Sequence, residues 1–465
     1  MTQLNDQADY SIINAYIERR RYSGQEDDIE QQWDIRQSVV EVNLFESIYE
    51  PVMTGKVVVL DTASLSSIIN FQGQEILHLE WRVGETQYSR EFYIFSVANQ
   101  LKSSNTTTSS LVLHVIEKHG YYSMFRRLNG TKAGEIGQIV DALLSEVESG
   151  LTSASESAQR IRIMENNRMP LEVIRWLMDR ATNDIGEPMF TYSTLAPNVT
   201  GSNANIKFRS LGEMMQDHPW DADFKFVYSM IPSSTTEGAI TRDRTRINAV
   251  HIGENDNIFA LAQAGAISSQ YFQLDLTNRS QDEISFNIED HAVDRREAGS
   301  TTTMTDSFFS INGRDDTETQ VSIMDSLYVS GINTTAVFDD YRGYNEEVDP
   351  EAHRFKISRE SDLMMLDKEK FSITVPGYHF GVTDDERGVG TTIDITIPKD
   401  QPVLTSDANS IDPKRSGKFL ILNARHIMNN ATNSYTVVLE IGRPDSPDNI
   451  NDETRYENEA QDRPR

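Results

Sequence analysis

The chain contains no cysteine, which removes disulfides, thiol nucleophiles and cysteine-ligated zinc from consideration. No apolar run approaches the length of a membrane span, so membrane insertion is not expected. The opening MTQLNDQADYSII has neither a basic stretch nor an apolar one, so no export signal is expected. Without export, the Asn-x-Thr triplets at Asn105, Asn129 and Asn333 carry little weight as glycosylation sites. Cationic charge is also scarce: 43 Lys and Arg stand against 72 Asp and Glu, for a net charge of −29. Tight binding to DNA needs lysine and arginine to displace counterions from phosphates, and this chain is poor in both. The acidic excess either keeps a large protein soluble or forms a surface that nucleic acid passes without sticking.

Catalytic signatures are missing as well. GxxxxGK[ST] does not occur, and RGVGTT around Gly388 and Gly390 lacks the lysine and following helix of a phosphate-binding loop. Neither HExxH nor GxSxG is found. Asp384, Asp385 and Glu386 form an acidic run that could help hold a cation, but no calcium-loop spacing surrounds them and a solvated loop is the plainer reading. His251, His379 and His426 lie in or beside strand patterns, where a packing or surface role is commoner than ligation or catalysis. No catalytic residue, cofactor-binding residue or metal ligand is assigned, no cofactor is expected, and the chain is not expected to be an enzyme.

What the sequence does contain is a pattern that occurs twice. In GKFLILNARHIMNNATNSYTVVLEIGRP, Phe419, Ile421 and Asn423 fall on one face of a first strand and Val437, Leu439 and Ile441 on one face of a second, around the small polar run NNATNS. A period of two marks strands with one face set apart for packing, and such a run suits a hairpin loop. EFYIFSVANQLKSSNTTTSSLVLHVIEKH repeats the figure, with Phe92, Ile94 and Ser96, the loop SSNTTTSS, then Leu111, Leu113 and Val115. Overlaid, Phe92 falls on Phe419, Ile94 on Ile421 and Leu113 on Leu439, with one residue of slack in the loop. One β-domain is therefore expected to occur twice.

At 465 residues the chain is too long for a single core. The expected class is α+β but β-dominated, with two similar small β-barrel domains and helical or irregular inserts. Residues 1–120 form the first barrel domain, with a possible short helix around Ile12 to Ile17 and return strands drawn from 201–240. Short alternating runs (Val40, Val42, Leu44; Val57, Val59; Leu77, Leu79) punctuated by Pro51, Gly55 and Gly73 suit a small barrel or sandwich. Residues 121–200 read as a mainly helical insert: Ile136, Ile139, Val140, Leu143, Leu144 and Val147 keep helical spacing, and Pro170 opens a second helix. The second barrel domain starts in 241–294 and closes with 371–445. Between them, 295–370 is a polar insert or small subdomain with a short helix near Asp362 to Leu366. Residues 446–465 form a disordered acidic tail.

VNLFESIYEPVMTGKVVVLD and GQEILHLEW, then IKFRSLGEMM, NIFALAQAGAISSQYFQLDLTN and SGKFLILNARHIMNNATNSYTVVLEIGRPDS, resemble in order segments of the central baseplate hub proteins of contractile-tailed bacteriophages. The resemblance spans most of residues 38–445 and fails in the polar stretch near 295–350. Related modules form the base of type VI secretion spikes, but those usually continue into a spike on the same chain, and nothing after Asp445 suits one. The resemblance implies a structural virion protein of the tail baseplate, made in the host cytoplasm. It implies a homotrimer whose two barrels per chain make a ring of six, adapting a sixfold tail tube to a threefold central spike. Its partners would be the tube protein, the spike and other baseplate proteins, with DNA only passing through the lumen. The alternatives are a tail-associated carbohydrate- or peptidoglycan-cleaving enzyme and a receptor-binding tail protein.

Overall fold

The computed structural model describes residues 10–22, 27–61, 65–100, 109–197, 199–217, 219–220, 225–228, 244–253, 258–275, 280–288, 327–332, 355–368, 370–381, 387–399, 411–412 and 415–444. The first half comprises β1 (Tyr10–Tyr22), β2 (Asp27–Asp34), β3 (Val39–Ser47), β4 (Thr54–Asp61), β5 (Glu75–Val83), β6 (Thr86–Gln100) and β7 (Ser109–Ile116). An insert carries β8 (Thr131–Glu135), β9 (Leu151–Ala154), β10 (Arg160–Met164), β11 (Met189–Ser193) and β12 (Ile206–Ser210). The second half begins with β13 (Phe226–Tyr228), β14 (Arg246–Ile247) and β15 (Ala249–Ile252). A small sheet of β16 (Ser268–Asp275), β17 (Ser280–Asn287) and β18 (Leu327–Ile332) interrupts it. The half then resumes with β19 (Phe371–Pro376), β20 (Thr392–Thr396), β21 (Gly417–Asn429) and β22 (Ser434–Gly442).

Both halves lie in one 14-stranded sheet, and their strands are ordered alike. The first runs β3-β4-β7-β6-β5-β1-β2 and the second β15-β19-β22-β21-β20-β13-β14. Renumbered from the start of each half, the two orders are the same. The strands β3-β4-β7-β6-β5 and β15-β19-β22-β21-β20 are antiparallel throughout. The correspondence loosens at the edge, where β13 runs parallel to both its neighbours and β1 antiparallel to its own.

Register extends the match to single residues. Ile94 faces Val115 and Ile421 faces Ile441, and in each hairpin the next residue, Phe95 or Leu422, is bulged out of the ladder. Val57 faces Leu113 as Ile373 faces Leu439, and Leu77 faces Phe92 as Ile393 faces Phe419. All eight of these facing side chains are buried. Because a one-residue slip would turn every inward side chain outward, a shared register with a shared bulge is a demanding match. The second hairpin turns through residues 430–433, where Asn433 adopts φ 48°, a left-handed conformation that asparagine tolerates. The first hairpin's loop, 101–108, lies outside the described residues.

The two halves share one hydrophobic core, reaching from Ile17, Leu44 and Phe92 to Ile373, Phe419 and Leu439. The seam between them is itself a ladder, with Asn423–Asn429 of β21 paired to Glu41–Ser47 of β3. Among the described residues, strand pairing closes neither half into a separate barrel; β2, β14 and β15 end the paths of a continuous sheet. The β-dominated α+β class stands, and in place of two separate barrels the two halves are joined by a common ladder.

Three local expectations need correction. Residues 12–17 are not a helix but part of β1, whose register shifts between Ile12 and Asn14. Buried Tyr10, Ile12, Ala15 and Ile17 are thus spaced by two, three and two, a pattern that mimics helical spacing. Among the described residues of 201–240 no strand returns to the first half, which is met only by a single bridge from Gly201 to Arg90: β12 pairs with β11 and β9, and β13 joins β20 in the second half. Ile206 and Phe208 pack with the insert's Ile139, Val140 and Leu143 in a second core, which also takes in Val52, Ile76, Tyr93 and Ile116 of the first half. That insert is mixed rather than mainly helical, with helices Ile136–Ser145 and Pro170–Met178 packed beside the β8/β10 and β9/β11/β12 sheets. Pro170 does stand in the first turn, and the Met169 amide donates to Glu172 at 2.9 Å. The helix near Asp362 to Leu366 is present within Lys356–Lys368. Residues 446–465, and most of 295–370, lie outside the described residues.

Phe419 is the centre of the second half's inner face: it is fully buried, meets Phe371 edge-on at 5.1 Å and lies under the Arg443 guanidinium at 4.5 Å. Phe419→Ala should lower the unfolding free energy by roughly 3–5 kcal/mol, the usual cost of emptying such a site. Chemical denaturation reads this directly, and an unchanged midpoint would overturn the assignment of inward faces.

Candidate functional site

The most heavily engaged polar group of the seam is Glu46 on β3. Val42, Leu44 and Glu46 share one parity and all are buried, so the strand places a carboxylate where its pattern calls for an apolar side chain. A buried carboxylate is tolerable only when its oxygens are met by donors. Here the partners come from three other parts of the chain. From the insert, just past β11, Thr194 Oγ1 donates to Oε2 at 3.1 Å and the Leu195 amide to Oε1 at 2.8 Å. From the loop before β20, the Val389 amide donates to Oε2 at 3.3 Å. From β21, His426 Nε2 lies 3.3 Å from Oε1.

His426 reaches this place because of the bulge. Counted by twos from Phe419 and Ile421, residue 426 would face outward. The extra residue Leu422 reverses the parity, so Ala424, His426 and Met428 are buried while Asn423 and Arg425 are not. The other ring nitrogen, Nδ1, is 2.8 Å from the Tyr435 hydroxyl. Burial pushes the Tyr435 hydroxyl well above its ordinary pKa, helped by Tyr88, Glu46 and Tyr10, so it stays neutral beside the ring. Burial also opposes the charge on Glu46, but His426 and the Leu195 and Val389 amides outweigh it and hold that carboxyl below its ordinary range.

RGVGTT proves to be the loop that closes over Glu46. A Cβ at Gly388 would stand 2.2 Å from Thr194 Oγ1 and 2.8 Å from Glu46 Oε2. At Gly390, with φ +76°, a Cβ would stand 2.3 Å from the Tyr192 hydroxyl. Backbone bonds tie the same loop to β21 at the bulge, from the Gly390 amide to the Ile421 carbonyl and from the Ile421 amide to the Thr391 carbonyl, each 3.0 Å. Gly388 therefore serves close packing against Thr194 and the Glu46 carboxylate, and Gly390 close packing against Tyr192.

Beside this cluster the seam opens into a cavity of about 670 Å³. Its carboxylates are committed to partners: Glu50 pairs with Arg175, and Glu440 with Lys370 at 2.7 Å and with Asn423. Arg425 forks onto Asn43 at 2.8 and 3.0 Å. Of the three histidines singled out in the sequence, only His426 enters this site. His251 is exposed on β15, and His379, in the short turn Tyr378–Gly381, accepts from Arg387 through its carbonyl and meets Phe226 edge-on. Asp384, Asp385 and Glu386 lie outside the described residues. Among the described residues no group of three or more His, Asp or Glu side chains is placed to hold a metal ion. Glu46 was missed in the sequence, although a glutamate on the apolar parity of VNLFES was the signal that could have found it.

No protein-family model matches the chain, and no curated protein matches it in sequence. Solved structures resemble it at low identity. The tail protein from Neisseria meningitidis MC58 aligns over 93% of this chain and 96% of its own, with a TM-score of 0.49 and 11% identity. The 43 kDa tail protein of prophage MuSo2 from Shewanella oneidensis aligns over 93% and 100%, with a TM-score of 0.46 and 9% identity. An E. coli component of the type VI secretion system, described as structurally similar to T4 bacteriophage tail proteins, aligns over 89% and 76%, with a TM-score of 0.40 and 10% identity.

Because Glu46 has its pKa lowered by folding, the stability it contributes is present above the ordinary value of 4.5 and is lost as pH falls through the lower folded-state value. Glu46→Gln should cost at least about 1.5–3 kcal/mol at neutral pH, the worth of a hydrogen bond to a charged group. It should also flatten the acid limb of the stability profile. Thermal melts from pH 3 to 7 test both; a variant with the parent's stability and acid limb would remove Glu46 from its assigned place.

Proposed function

We propose that this chain is a structural component of a phage-type tail baseplate: a trimeric hub that joins a sixfold tail tube to a threefold central spike. The observation that supports this reading is the repeated five-strand unit, alike in order, register and bulge, with its two copies joined edge to edge in one ladder. Three such chains present six like units around an axis, which is the arrangement a sixfold partner can match on one side and a threefold partner on the other. The order of the hub-like sequence segments supports the same assignment.

Geometric matching is the mechanism, with interface burial supplying the affinity. The net charge of −29 per chain favours a lumen through which DNA passes without adhering. The partners are the tube protein, the spike and other baseplate proteins, and the site of action is the virion tail. Glu46, Glu50 and Glu440 are each engaged by neighbouring donors, so the seam cavity offers no support for a glycosidase-like carboxylate pair.

The assembled protein should have a mass of three times 52.7 kDa, about 158 kDa. With every chain acidic, assembly should weaken as salt falls and the screening length grows towards about 30 Å near 0.01 M. Light scattering across a salt series measures both. A monomer at high salt and high concentration, even with a candidate spike protein added, would overturn the trimer.

A further inference from the structure

The internal seam pairs one particular edge of each half, and among the described residues the corresponding edges of both halves carry no partner strand. In the seam, the stretch of β21 beyond its bulge pairs with β3, His426 facing Leu44 and Ile427 facing Asn43. By register, β21 corresponds to β6 with Ile421 on Ile94, so His426 falls on Asn99 and Ile427 on Gln100. Likewise β3 corresponds to β15: Leu44 faces Gly55 as Ile252 faces Phe371, and Asn43 stands on His251. β5 follows β6 only as far as Tyr93, so among the described residues Ser96–Gln100 pair with β7 alone. Among the described residues β15 pairs with β19 alone.

Burial gives a second, independent sign. Leu422, the bulged residue at the seam, is 0% exposed, whereas its counterpart Phe95 is 43% exposed. Leu44 in the seam is also 0% exposed, whereas its counterpart Ile252 is 45% exposed. Two of the large apolar side chains left in solvent thus sit at positions that the repeat buries when the edge is covered. Unpaired strand edges with apolar side chains call for a partner strand.

We propose that the open edge of β15 adds to the open edge of β6 in a second copy of the chain, in the register of the internal seam, with Ile252 opposite the partner's Asn99 and His251 opposite the partner's Gln100. The contact is head-to-tail, because β15 and β6 are different surfaces of one chain. Such contacts either close into a ring or grow without end. The inference rests on the trimeric reading for closure but not for the strand pairing itself. Inner and outer junctions would then be alike, and the sheet would run unbroken from copy to copy.

The chain's lack of cysteine makes the test clean. His251→Cys and Gln100→Cys together put two thiols directly opposite each other across the proposed junction, at about the 4.5–5.5 Å Cβ separation of facing strand residues, close to the spacing a disulfide needs. Mild oxidation should give covalent species ending at three copies on a non-reducing gel, while either single variant gives none. Phe95→Asp, at a position exposed within one chain, should leave the fold intact and shift the assembled mass to that of a monomer. A trimer by mass that neither cross-links nor responds to Phe95→Asp would overturn the edge pairing and leave the trimer standing. Cross-linked products growing past three copies would support the pairing and overturn closure as a trimer. A protein that stays monomeric and uncross-linked would overturn both.

Discussion

A charged oxygen pair with no water to solvate it must be met by the protein, and at Glu46 that requirement ties together parts of the chain that are distant in sequence. Its partners lie on the insert, on the loop before β20 and on β21, so the carboxylate is fully surrounded only when both halves and the insert are docked. Removing any one of these elements would leave a buried charge short of a partner, which costs far more than a lost surface contact. Hydrophobic burial supplies most of the cohesion, since the shared core spans both halves. The carboxylate supplies selectivity: it favours one docking of one half against the other.

The bulges belong to the same constraint. In β21 the extra residue turns His426 inward towards Glu46 and sends the strand on to pair with β3, so one backbone irregularity sets both the polar contact and the seam. β6 carries its bulge at the corresponding residue, but among the described residues its stretch past the bulge pairs with β7 alone. An irregularity kept in both copies of a repeat, but used internally in only one, is what an assembly with equivalent junctions inside and between chains would need. In the proposed assembly, repulsion between copies of net charge −29 would have to be overcome by the ladder and the apolar side chains at its edges.

Strand alternation carried the sequence a long way, and its failures share a cause. Phe92, Ile94 and Leu113 correspond to Phe419, Ile421 and Leu439, as the period of two and the loop lengths implied. The period says nothing of where a residue is inserted. In β1 the shift after Ile12 gave the spacing of a helix, and in β21 the bulge at Leu422 hid the inward turn of His426. Glu46 was legible in parity, yet its partners come from positions 194, 195, 389 and 426, whose convergence is tertiary and leaves no local trace. The same holds for Gly388 and Gly390, whose need for a missing side chain arises from Thr194 and Tyr192 far along the chain.

A view of the assembled particle down its axis tests the central claim most directly. Electron cryo-microscopy should show true threefold symmetry with six similar β-lobes, the two lobes of each chain alternating at about 60° around a central opening. Three lobes, or two kinds of lobe with unlike strand order, would contradict the account, because the repeat would then not be what closes the ring.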